Sequence, residues 1–264
     1  VTFTNTDDPT DWEVVTVHVT GKAFDEEVII LPGDIPLEMV SIQPGTFMMG
    51  GTGEYAQEHE LPRHAVTLSS GFWMSKYELT KAQWTAVMGT TPWAGRPRAQ
   101  DDPNTPAEYV NWYGGQEFIA ALNDLTGMHF RMPSEAEWEY ACRAGSTTHY
   151  YWGDDFDPDI DDYAFYWGNT YAVSEQYAHV VGQKLPNAWG LYDMIGNVSE
   201  WCNDWYAEDY YANSPSLNPQ GPDSGEYRVK RSQRWNAYGE HCRSARRSRA
   251  DPTGTGAGIR LVRE

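Results

Sequence analysis

Apolar and polar residues alternate along Val15-Thr16-Val17-His18-Val19-Thr20, the period-two pattern of a strand with one buried face. His18 sits between valines and is expected to face solvent. Gly21-Lys22 follows as a turn, and Val28 to Leu31 predicts a second short strand closed by Pro32-Gly33. With the loop at Asp7-Asp8-Pro9, these segments make residues 1–35 a small β extension ahead of one larger domain, residues 36–264. Leu37 to Ile42 predicts the next strand. Pro44-Gly45 reads as a turn, with Thr46 to Gly50 returning as the hairpin partner. Glu54, Glu58, His59 and Glu60 read as a solvated loop, and Ala65 to Leu68 and Gly71 to Met74 as strands. His59 and His64 have no third ligand at zinc-site spacing.

The period then changes. Thr80 and Gln83 form a capping box for a helix that runs to Met88 and stops at Gly89. Residues 90–106 hold four prolines and read as a long loop. A second helix is predicted over 114–126, with Phe118, Ile119, Leu122 and Leu125 on one face and Gly127 as the stop. Ser134 and Glu137 form another capping box, for a short helix that turns Trp138, Ala141 and Cys142 inward. Residues 146–190 show no period. Tyr227 to Arg231 and Gly258 to Val262 read as closing strands. Between them stands Gly190-Leu191-Tyr192-Asp193-Met194-Ile195-Gly196-Asn197-Val198-Ser199-Glu200-Trp201, where two glycines, an Asp, an Asn and a Glu interrupt large apolar residues. Neither helix nor strand favours that mixture, so a compact buried turn is predicted. Its carboxylates either grip a hard cation such as calcium or cap their own loop.

Composition narrows the function. A chain of 264 residues, 40% hydrophobic, can build a full core, and no apolar run approaches the roughly 18 residues of a membrane helix. Twelve Trp and 17 Tyr suit a loop-rich fold of rings with polar tips. Three cysteines, Cys142, Cys202 and Cys242, give no disulfide framework; one bridge or three buried thiols are both open. A net charge of −19 argues against nucleic acid as a main partner. After Tyr227 the balance reverses, with ten basic residues against three acids. Those arginines either pair with acids of the body or form a distinct surface.

Several motifs in order carry a resemblance. Pro44 to Gly50, Tyr77 to Thr80, Arg131 to Ala141, Asn187 to Trp201 and Arg243 to Arg246 with Gly258-Ile259-Arg260 resemble the formylglycine-generating enzyme (sulfatase-modifying factor) family. The match spans about Leu37 to Glu264. It implies an α+β, C-type-lectin-like, loop-rich fold. It also implies calcium, as a structural ion, at Asp193, Gly196, Val198 and Glu200. The family oxidises a substrate cysteine with two copper-binding cysteines. Aligned on Arg231 and Trp235, the first of those positions is Ala237, which leaves Cys242 alone. One thiolate does not make a two-thiolate copper site, so no copper and no such oxidation are expected, and the chain is read as a non-enzyme. Arg243, Arg246 and Arg260 look like family arginines that pair with body acids.

The C-terminal segment also resembles the variable region of diversity-generating retroelement proteins, closest to the treponemal variable protein type, which use this scaffold for ligand display. Mutagenesis at adenines of Asn codons does not yield Gln, Trp or Glu, which sets Gln233, Trp235 and Glu240 aside. The implied ligand-binding positions within about 231–260 are Arg234, Asn236, Ala237, Tyr238 and His241, then Ser248, Arg249, Ala250, Asp251, Gly254 and Gly256. The residues themselves agree in kind: small, polar or amphipathic types without apolar periodicity, as paratope loops use. The expectation is a monomeric binding protein for a protein or cell-surface ligand. It would be extracellular or at the cell surface, either secreted or anchored as an outer-membrane lipoprotein through a segment absent from this chain. The alternatives are an ordinary pair of surface loops, an enzyme using His241 as base beside Tyr238 or Cys242, and a carbohydrate-binding module. The last lacks the Glu-Pro-Asn and Gln-Pro-Asp triplets of sugar-binding lectins.

Overall fold

Residues 16–19 (backbone), 24–155 and 159–264 are described by a computed structural model. The loop at residues 7–9, the turn at 21–22 and the His18 side chain lie outside these.

The predicted period-two segments form strands. β1 (Thr16–Val19), β2 (Glu26–Leu31) and β3 (Ile35–Ile42) run as an antiparallel meander. β3 then pairs with β6 (Phe72–Ser75), and the sheet ends in β11 (Val262–Arg263) and β7 (Phe130–Arg131). The order is β1-β2-β3-β6-β11-β7, so the chain's last strand is inserted between two earlier ones. The sheet also runs across the boundary at 35/36. Alternation along β3 sends Leu37 and Met39 to one face and Val40 and Ile42 to the other, and both faces are covered.

On the first face lie α1 (Lys81–Met88) and α2 (Trp112–Thr126). Trp84, Phe118, Ile119 and Leu122 pack there with Ile259 and Leu261. Both helices begin at the caps and end at the left-handed glycines the sequence marks, Gly89 and Gly127. On the second face lies α3 (Glu135–Arg143), capped by Ser134 and Glu137, with all nine residues buried.

Several expectations fail here. β4 (Gly45–Met49) pairs not with β3 but with β5 (His64–Leu68), in a separate two-stranded sheet. Glu60 is not solvated: it is fully buried and takes a two-pronged pair from Arg243 at 2.8 and 2.9 Å. A third sheet, β10-β9-β8, joins β8 (Glu200–Trp205), β9 (Arg228–Arg231) and β10 (Ser248–Ala250). No sequence pattern predicts β8 or β10. Gly258 to Leu261, read as closing strand, is an extended segment stitched to the turn and to α1's leader by single bonds, such as Trp201 N to Gly258 O and Leu79 N to Ile259 O.

The basic C-terminal segment is largely a set of internal ties. Arg231 binds Glu135 and Glu139, Arg247 binds Glu135, Arg243 binds Glu60 and Arg260 binds Glu200, all four guanidiniums being buried. Arg246 sits farther from Glu60, at 3.7 Å. The whole is an α+β, loop-rich fold in which buried ion pairs fasten the last 35 residues to α3 and its neighbours.

Candidate binding surface

The first candidate patch leaves β9 through Ser232, whose backbone is left-handed (φ 59) and whose Oγ donates to the Gly196 carbonyl at 3.1 Å. Trp235 follows, 1% exposed, packed on Phe165 and Val198, with its backbone N–H on the Asn197 carbonyl at 2.8 Å. The Trp167 N–H donates to the Ala237 carbonyl at 2.8 Å, and the Thr170 hydroxyl to the Trp235 carbonyl. The backbone is therefore held from two sides while side chains stand free. Asn236 is exposed, Tyr238 is 54% exposed, and Ala237, Arg234 and His241 are half-buried.

Beside this patch runs a band of rings. Tyr238 meets Trp167 at 5.5 Å between centroids, Trp167 stacks on Tyr171 at 6.4 Å, and Tyr171 on Trp235 at 6.3 Å. The Arg98 and Arg234 guanidiniums lie over Trp235 at 5.9 and 5.8 Å. Exposed Trp, Tyr and Arg on a fixed backbone are the side chains that dominate binding energy at interfaces.

The second patch divides. Ser248, Arg249 and Ala250 form β10 against β9, with the Ser248 Oγ on the Lys230 carbonyl. Arg249 is exposed and leans over Tyr206 and Tyr227, 5.1 Å from each ring. Asp251 folds a tight turn on itself: its carboxylate accepts from the Thr253 N–H and hydroxyl, and its carbonyl accepts from the Gly254 N–H. Gly256 is exposed and, with Thr255, reaches a cavity of about 370 Å³ that Arg234, Arg98 and Glu108 also line. Arg234 and Gly256, 22 residues apart in number, are thus brought to one place; Arg249 faces a different aromatic pair.

For chemistry, Cys242 is fully buried. Its thiol donates to the Tyr238 carbonyl and is pushed up to about 12 by burial, with the Glu240 charge adding. A reactive cysteine needs the opposite environment. All three cysteines are buried free thiols, and among the described residues no hydrogen bond joins the His241 ring to an acid or a thiol.

The central turn is built as its residues predict. Asp193 and Asn197 are left-handed (φ 54 and 55), and at Gly196 (φ 91) a Cβ would lie 2.4 Å from the Phe165 carbonyl oxygen, so only Gly fits. The four expected calcium positions lie in this turn, yet Glu200 is committed. Its carboxylate takes the Arg260 guanidinium at 2.8 to 3.1 Å and the Trp138 indole N–H at 2.5 Å. Arg260 continues to the Ser75, Lys76 and Tyr192 carbonyls. Asp193 accepts from the Gly182 N–H, and the Gly196 carbonyl from Ser232. A fixed guanidinium already stands against the carboxylate that calcium requires, so this donor set does not fit calcium held through Glu200. Unforeseen is Glu78, fully buried, which holds the turn through the Asn197 amide and the Val198 N–H. Burial and the neighbouring Asp193 and Glu200 charges raise it well above the usual carboxylate range; burial lifts Asp193 to about 6.

Trp167, Tyr171, Arg98 and Glu108 were not among the expected site residues. They come from the loops 90–110 and 146–190, where no period marks a role.

Residues 33–264 match the sulfatase-modifying factor enzyme 1-like domain. The chain is similar to the formylglycine-generating enzyme of Mus musculus, 28% identical, covering 84% of this chain and 73% of that one. Among solved structures it is similar to PvdO from Pseudomonas aeruginosa, 33% identical with a TM-score of 0.76, over 87% of this chain and 95% of that one. It is also similar to Treponema denticola variable protein 1, 26% identical with a TM-score of 0.78, over 90% and 98%.

Proposed function

This chain belongs to the sulfatase-modifying factor enzyme 1-like family, whose scaffold serves more than one role, and we propose that here it serves binding: a non-enzymatic protein that displays a diversified C-terminal region to a protein or cell-surface ligand. The observation that carries this reading is the first patch. Its backbone is fastened by Trp235, Ala237 and Ser232, while Asn236 and Tyr238 point outward beside exposed Trp167 and Tyr171. Such a platform tolerates substitution at its free side chains without loss of fold, which is what display needs. Likeness to a variable protein supports the reading, as does the resemblance-based alignment that puts Ala237 where the family has its first cysteine, beside a buried Cys242 with a raised pKa. Against a membrane-spanning role, no described helix is long and apolar enough to cross a bilayer. Display implies a location at the cell surface or outside the cell.

The test is to sequence the locus and its neighbourhood across isolates. Substitutions confined to positions such as Asn236, Tyr238, Ser248 and Asp251, beside a reverse transcriptase gene and a near-copy template, are the expected result. A fixed C-terminal segment without a template sinks the proposal.

We further propose that Arg260, not calcium, holds the central turn. Thermal unfolding in millimolar calcium chloride and in EDTA is then expected to give the same midpoint. A calcium-dependent rise of several degrees would show Glu200 released to a metal.

A further inference from the structure

The cavity beside Arg234 contains chemistry that display alone leaves unused. Glu108 lines it, 5% exposed, and its Oε1 has no hydrogen-bond partner. Lys81 Nζ is 3.8 Å from that oxygen and spends its hydrogen bond on the Gln100 carbonyl. A buried acceptor left without a donor is uncommon in folded proteins and calls for a cause. Arg98 and Arg234 also line the cavity, and among the described residues neither makes an ion pair. Lys81 faces Glu108, Asp101 and Asp102, and Arg234 also acts on Glu108, so what the cavity offers an anion is two guanidiniums without a close acid partner rather than a net positive charge. Arg98 and Tyr109, both lining residues, hold left-handed backbone (φ 67 and 62), a strained conformation that persists where surrounding structure enforces it. The remaining wall includes Pro97, Val198 and Ala257, which are apolar.

These groups specify a ligand with three parts: a carboxylate for the arginines, one hydrogen-bond donor for Glu108, and an apolar group for the wall. We propose that the cavity binds the C-terminal residue of a peptide. Its carboxylate meets Arg98 and Arg234 in charge-assisted hydrogen bonds, its amide N–H donates to Glu108 Oε1, and its side chain lies on Pro97, Val198 and Ala257. An acidic sugar would also supply a carboxylate, but it has no apolar side chain to lie on Pro97, Val198 and Ala257. About 370 Å³ suits one or two residues rather than a longer segment.

This rests on the binding reading above and sharpens it. Glu108 lies outside the proposed diversified positions and Arg234 within them. The amide would be recognised by every variant, and the charge requirement beside it would change with residue 234.

Isothermal titration of the full chain with N-acetyl-L-leucine tests the proposal. Saturable binding is expected. It should weaken at least tenfold for N-acetyl-leucine amide, which lacks the carboxylate, and at least tenfold for the ester analogue, in which oxygen replaces the amide N–H. Arg234→Ala should reduce the first discrimination and Glu108→Leu the second. The ester analogue on the unaltered protein reads the donor even where Glu108→Leu does not fold. No saturable binding of N-acetyl-leucine, equal binding of all three compounds, or binding of glucuronate in their place overturns it. Sequence variation at the locus with no peptide binding would leave the display reading standing and remove this one.

Discussion

Replacing Arg231 with methionine is expected to cost about 3–5 kcal/mol of folding stability, the scale of removing one member of a buried charge cluster. Arg231 is fully buried, and its guanidinium donates to Glu135 at 2.9 Å, to Glu139 at 2.8 Å and to the Ser244 carbonyl, with the Trp138 ring 5.1 Å away. Methionine fills much of the space but leaves parts of two carboxylates without a donor inside the core. Glu139 would keep Arg143 and the Gly50 N–H, and Glu135 would keep Arg247, so the loss stops short of two isolated charges. Against a typical total of about 5–15 kcal/mol, this moves the protein to the edge of folding. Chemical denaturation measures it as a fall in midpoint at unchanged slope. Lysine at 231 is expected to recover only part, since a single ammonium does not serve two carboxylates and a carbonyl at fixed angles. A loss under about 1 kcal/mol for the methionine variant would show that the acids of α3 do not depend on this arginine.

That network also explains which parts of the structure were readable in the sequence. Local rules gave β3, both capping boxes, the glycine stops of α1 and α2, and the irregular turn at 190–201, because each rests on residues a few positions apart. Glu60 escapes these rules for the opposite reason. Its neighbours Glu54, Glu58 and His59 describe a wet loop, whereas its partner Arg243 lies 183 residues on. Pro44-Gly45 reads locally as a hairpin turn and predicts β4 beside β3. In the fold Gly45 lies under Tyr140, where a Cβ would come within 2.3 Å of the phenol oxygen. That contact with α3 belongs to a strand directed away from β3 and toward β5. β8 was hidden because Asn203 and Asp204 interrupt its apolar residues. Of the proposed binding surface, Asn236, Ala237 and Tyr238 come from the resemblance, and the small, polar or amphipathic character of that segment is compatible with it. Trp167, Tyr171 and Glu108 lie at 167, 171 and 108, and only tertiary packing places them beside Arg234 and Tyr238.

Asp204→Asn is expected to stabilise the protein progressively as pH rises from about 4 to 8. Asp204 is fully buried on β8, where its carboxylate accepts the Glu135 N–H at 2.9 Å at the start of α3. Burial, then the charge of Glu135, raises it from 3.8 to about 8 in the folded protein. Unfolded, it titrates near 3.9. Between these values the folded state holds a proton that the unfolded state has released, so unfolding is favoured increasingly with pH. The penalty is absent below about pH 4, grows through the interval and is complete above about pH 8. A difference of this size corresponds to several kcal/mol at 1.36 kcal/mol for each step of one. Asparagine keeps a carbonyl for the Glu135 N–H and has no charge to bury. The variant and the parent should therefore be close in stability at pH 4.5 and separate by several kcal/mol at pH 8.5, the variant being the more stable. Urea denaturation at the two values reads the difference directly, and a constant offset between them would place the ionisation of Asp204 elsewhere. The position matters beyond stability, because β8 lies beside β9, the strand from which the first patch departs. That sheet supports the proposed display surface, so ligand binding is expected to decline with pH in the parent over the same interval and to hold in Asp204→Asn.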